Sequence, residues 1–144
     1  MKTEQIQLVQ ESFVSVRPIA KVAAELFYAR LFELDPTLRP LFKGDMEVQG
    51  RMLMNMLGAA VGGLSNFVAL QPILKDLGAR HVNYGVQDQH YATVGSALIW
   101  TLEQGLGEQF TAAVRDAWLV AYTQMSGVML QGAASVRLAQ VGAQ

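Results

Sequence analysis

Two residues in this chain can offer an imidazole, His81 and His90. Imidazole binds metals, moves protons near neutral pH and caps helices. Which of these applies depends on what the surrounding residues allow. Two histidines without a carboxylate cluster do not make a zinc site. The chain has no cysteine, so disulfides, zinc–thiolate centres and cysteine-held iron–sulfur clusters are excluded. No HExxH run, phosphate-cradling glycine loop, calcium loop or serine elbow occurs. His81 stands in "GARHVNY" with Arg80 beside it, and on its own it reads equally as a satisfied surface or core histidine.

Composition narrows the rest. The chain has 144 residues, of which 51% are hydrophobic, with seven methionines and a formal charge of −1. That length suits one domain, 1–144, with a sizeable core. The near-neutral charge offers no broad field to nucleic acid or to an anionic membrane. The start "MKTEQIQLVQ" lacks an apolar leader core, and no run of 18 apolar residues is unbroken. These features lead us to expect no nucleic-acid or membrane partner and a cytoplasmic address.

The periodicity is helical almost throughout. Thr3 is placed to cap a helix striped by Ile6, Val9, Phe13 and Val16. A second helix is expected from about Pro18 to Leu34, and Asp35–Pro36 should start a short one through Leu41 and Phe42. Lys43 to Val48 reads as a loop. Met52, Leu53, Met56, Leu57, Ala60, Val61 and Leu64 mark a long helical face. Asn66 to Leu70 reads as a joint, with Pro72 starting a helix to about Arg80. Asp88 is placed to cap a helix carrying Tyr91, Val94, Leu98 and Leu102. The corner "EQGLGEQF" leads to a last helix with Phe110, Val114, Trp118, Tyr122, Met125 and Met129. The tail from Gly132 suits either helix or fraying. The expected class is all-α.

Several long apolar helices can build a wide cleft, and a cleft with one imidazole suits haem, whose porphyrin supplies four of the iron's nitrogens. The ordered words "LFYARLFELDPTLRPLF" (26–42), "QGRMLMNMLG" (49–58), "LGARHVNYGVQDQHYATVG" (77–95) and "AVRDAWLVAYTQM" (113–125) carry this further. Over roughly residues 4–130 the chain resembles single-domain bacterial globins, related to Vitreoscilla-type haemoglobin and the haem domains of flavohaemoglobins.

The resemblance implies a globin fold, a three-over-three helical sandwich around haem b (iron protoporphyrin IX). It implies His81 as the iron ligand and Phe42 as the wedge against the porphyrin. It places Tyr28 and Gln49 on the distal side, where a phenol O–H and an amide N–H donate to a bound gas. Leu53 should overhang the iron. Met52, Leu77, Val86, Val94, Leu98, Tyr122 and Met125 become candidates for the cofactor's walls or edge. Arg80 becomes either a propionate partner or a solvated cation at a helix end. His90 should face away or make a cap contact. Tyr91 matches a proximal tyrosine that works with a glutamate, but that position here is about Ala133, in "QGAAS".

The activity so implied is reversible binding of O2, with NO and CO as further ligands. The rival readings are nitric oxide dioxygenation with an external reductase, because 144 residues leave no room for a flavin domain, and gas sensing through a partner. Monomer and homodimer both remain open.

Overall fold

The computed structural model describes residues 1–142, all of whose regular elements are helical. Six α-helices form: α1 (Thr3–Val16), α2 (Ala20–Leu34), α3 (Met46–Gly63), α4 (Phe67–Asn83), α5 (His90–Leu106) and α6 (Ala112–Gly142). Short 3₁₀ turns at Arg17–Ile19, Pro36–Leu41, Leu64–Asn66 and Gly107–Gln109 make the corners. The periodic stripes explain the pairing. α1 and α4 pack on α6, while α5 and α3 pack on α2.

The core is built where these stripes meet. Trp118, Phe13, Leu31 and Val9 are its largest fully buried side chains. Burying an indole strands its N–H unless a partner is found. Trp118 Nε1 donates to Ser12 Oγ at 2.8 Å, and that hydroxyl passes its own proton to the Leu8 carbonyl at 2.7 Å. The last helix continues through the tail that begins at Gly132, as far as Gly142; Ala143 and Gln144 lie outside the described residues.

Four boundaries differ from the sequence expectations, each for a local reason. Thr3 is the first residue of α1, and the flanking residue is Lys2, whose backbone N–H is met by the Gln5 side chain. The expected loop 43–48 is shorter, because Asp45 accepts from the Glu47 N–H at 2.7 Å and starts α3 at Met46. α4 begins at Phe67 under an Asn66 cap, so Pro72 lies inside a helix that runs on to Asn83. Pro72 is exposed there, where a missing hydrogen bond is least costly. Asp88 does not cap α5; its carboxylate pairs with Arg137, 49 residues away.

By length and composition the run Met46–Asn83 is apolar enough to cross a membrane, with a mean hydropathy of 1.5 in its richest window. In the fold it is two helices turned at Leu64–Asn66. Only 28% of that window is buried by the chain's own residues. Val48, Met52, Met56, Val68 and Ile73 are the large apolar side chains left exposed along that run.

α4 is held to α6 by backbone contact at two glycines. A Cβ added at Gly78 would lie 1.9 Å from the Met129 carbonyl oxygen, and one at Gly132 would lie 1.9 Å from the Lys75 carbonyl oxygen. No side chain can yield to relieve either overlap. We predict that Gly78→Ala or Gly132→Ala destabilises by about 3 kcal/mol, in the upper range of overpacking costs. Gly62→Ala, with no neighbour within 4 Å, should instead stabilise by about 0.5–1 kcal/mol. Chemical unfolding of the three variants measures the contrast.

Candidate functional site

His81 lies three residues beyond Gly78, near the end of α4, and is half-buried. Its Nδ1 meets the Leu77 carbonyl oxygen at 2.7 Å. A carbonyl only accepts, so Nδ1 carries the proton and Nε2 keeps its lone pair. Burial lowers the imidazole's pKa from its ordinary value, against a smaller upward pull from the Leu77 bond. The ring is thus held neutral, the form that binds metals. Tyr84 packs its ring edge-to-face on His81 at 5.7 Å, although its own side chain is largely exposed. The i,i+3 spacing is enough to announce that contact, yet Tyr84 is not among the residues the resemblance implies.

A second cluster forms where α2 meets the start of α3. Tyr28 is 8% exposed, and its hydroxyl donates to the Gln49 backbone carbonyl at 3.4 Å, not to the Gln49 side chain. Phe42 stands edge-on to Tyr28 at 5.2 Å. Phe32, four residues after Tyr28 and so on the same helix face, completes the triangle at 6.0 Å from Tyr28 and 5.4 Å from Phe42. Phe32 is absent from the sequence candidates, though its spacing is visible there. The close approach of α2 and α3 uses Gly50, where a Cβ would come within 3.0 Å of Ala24 Cβ. Burial pushes the Tyr28 phenol up to about 12, so it holds its proton well beyond neutral pH.

The third group joins α5 to α6. Tyr122 Oη donates to the Tyr91 carbonyl at 2.5 Å, and its ring lies against Gly95. Among the described residues the Tyr91 hydroxyl itself is buried without a partner. Burial raises its pKa, the Asp88 carboxylate adds to the rise, and Arg137 opposes it. Ala133 is buried on α6 and offers no carboxylate in that region. His90 is buried at the start of α5, with Nδ1 accepting from the Gln87 N–H at 2.9 Å, a cap contact.

The remaining candidates divide. Leu98 and Met125 are buried in the core cluster, and Leu53 and Val94 pack against it half-buried. Leu77 and Val86 are half-buried, and the Val86 carbonyl accepts from Arg137. Met52 is 59% exposed and belongs to no core contact. Arg80 forms an exposed pair with Asp76 at 3.0 Å, four residues back, which is the helix-end reading of that residue. Among the described residues no group of three or more histidine, cysteine or carboxylate side chains converges on a metal-sized point. A metal held by side chains alone therefore lacks a site; a metal that brings its own ligands needs just one donor.

The arrangement has known relatives. Neuroglobin-1 of Oncorhynchus mykiss is 34% identical over 74% of this chain and 76% of its own length, and neuroglobin of Danio rerio is 31% identical over 87% of each. Among solved structures, an engineered carbene transferase from a provisionally assigned nitric oxide dioxygenase of Rhodothermus marinus superposes with a TM-score of 0.87 at 26% identity. The match covers 98% of this chain and 99% of the other. A bacterial globin from Campylobacter jejuni superposes at 0.82 over 94% of this chain and 99% of its own, at 22% identity, and so speaks for the fold. The globin family profile matches residues 25–129, from α2 through most of α6, and the chain belongs to the globin family.

Proposed function

We propose that the protein holds haem b through His81 and binds O2 reversibly. The single observation that carries this is the Leu77-anchored tautomer of His81, which leaves the lone pair of the other ring nitrogen free. Globins bind haem, and this chain's own features fit the group. One donor suffices for an iron already ringed by four nitrogens, and uncovered apolar surface suits a porphyrin. Haem, when bound, would supply an iron able to take up a diatomic gas.

The chain's residues have separable tasks in this reading. His81 is the iron ligand, oriented by Leu77. Phe42 packs against the cofactor, with Leu53, Leu77, Val86, Val94, Leu98 and Met125 as apolar surroundings. Tyr28 keeps its proton and donates it to a polarised guest. Its present bond to the Gln49 carbonyl is long, so little is lost when the hydroxyl turns away. The Gln49 amide is the second donor. Met52 and Arg80 are the weakest members: one is exposed, and the other already has Asp76.

Nitric oxide dioxygenation is a second reading, favoured by the Rhodothermus relative, which derives from a provisionally assigned nitric oxide dioxygenase. Oxidation of NO by O2 to nitrate takes one electron per cycle, so it calls for a separate reductase. Nitrate formed in many-fold excess over protein, in the presence of reductant and a reductase, would favour it over simple storage, delivery or scavenging.

Two outcomes are expected. His81→Gly should lose hemin at least tenfold faster than the parent, and added imidazole should restore the absorption band. Unchanged retention would remove His81 from the ligand role. Tyr28→Phe should speed O2 release about ten- to a hundredfold, the equivalent of a charge-assisted hydrogen bond of about 1.5–3 kcal/mol.

The Tyr28 phenol also sets an alkaline limit. The unfolded chain releases its proton near 10, while the folded chain retains it to about 12. The folded state therefore binds more protons in that window, and stability falls as pH rises through it, by at most about 1.4 kcal/mol per pH unit. Tyr28→Phe should flatten its share of that slope in denaturant titrations between those two pH values.

A further inference from the structure

His81 is followed by the corner that joins α4 to α5, and the backbone there is tied to His81 itself. The N–H groups of Tyr84 and Val86 both donate to the His81 carbonyl, each at 3.1 Å. What keeps this corner in place comes from α6. Arg137 donates from Nη2 to the Val86 carbonyl at 3.1 Å, and from Nη1 to the Asp88 carboxylate. One guanidinium thus bridges both sides of Gln87, four residues beyond the buried Ala133 on the same face of α6.

We propose that Arg137, with Asp88, is a positioning clasp for His81. The path is short and continuous: the Arg137 guanidinium holds the Val86 carbonyl, and the Val86 N–H holds the His81 carbonyl. His81 is therefore fixed from two sides. Leu77 orients the ring from the preceding turn, and the clasped corner fixes the backbone after it. A planar fork suits this task, because it can meet a carbonyl and a carboxylate in one plane. A lysine ammonium can pair with Asp88 but is a point charge, without the fork's fixed geometry. The clasp lies near the buried Tyr91 hydroxyl without bonding to it. Its target is the corner.

This inference rests on the reading of His81 as the ligand residue, but its test does not need a loaded cofactor. In the full-length apoprotein, Arg137→Ala should speed amide exchange of Val86 and Tyr84 by at least tenfold. It should also speed solvent exchange of the His81 Nδ1 proton, while amides of α1 and α2 stay as in the parent. Arg137→Lys should fall between the two. In the hemin-loaded, reduced protein the iron–histidine stretching band should broaden or shift in Arg137→Ala. Acceleration spread evenly over all helices would show a merely structural role and overturn the proposal, as would an unmoved corner with an unmoved His81 proton. If the parent fails to take up hemin, the His81 reading falls while the two apoprotein measurements still decide the clasp.

Discussion

The site depends on how closely α4 can lie against α6. At Gly78 and Gly132 the two helices meet backbone to backbone, with no room for a methyl group on either. Crossings of this kind fix register, because a helix cannot slide past a carbonyl that already fills the space where a side chain would stand. Once α4 is so placed, His81, three residues on, has its position along the helix settled. The Leu77 carbonyl then decides which nitrogen carries the proton. Packing thus sets the protonation pattern of the one side chain on which the proposed chemistry turns.

The cluster between α2 and the start of α3 is organised by a different force. Phe32, Phe42 and Tyr28 form a ring cluster whose faces and edges exclude water from the phenol. Exclusion of water raises the phenol's pKa and so keeps Tyr28 a donor further into the alkaline range. The two sides therefore complement each other. A neutral imidazole offers a lone pair from α4, and a neutral phenol offers a proton from α2.

Much of this was legible in the sequence, and the reasons are physical. Helix stripes, the Asp35–Pro36 start and the corner glycines are local patterns, and they appear where expected. The globin words placed His81, Phe42 and Tyr28 in order, and the fold gives each a defined neighbour. What escaped was non-local. Gly78 reads as a residue that weakens a helix until a second helix is laid across it. Asp88 looks like a cap until Arg137 arrives from 49 residues away. The contact between Tyr28 and the Gln49 backbone carbonyl has no signal in the sequence, since it depends on how α2 and α3 cross. Pro72 looks like a helix start because its exposed setting, which lets it sit inside α4, is a tertiary fact. The Asp45 cap was missed inside the expected loop 43–48, although the Glu47 N–H it meets is only two residues on.

The central claim is that His81 is neutral, protonated on Nδ1, with Nε2 open to a metal. Two-bond proton–nitrogen correlation spectra of the histidine-labelled apoprotein test it most directly, at neutral pH, before and after addition of diamagnetic zinc protoporphyrin. The account predicts an Nδ1–H pattern for His81 and a large change at its Nε2 alone when the porphyrin binds, with His90 unmoved. An Nε2–H pattern for His81, or a porphyrin-induced change confined to His90, would contradict it.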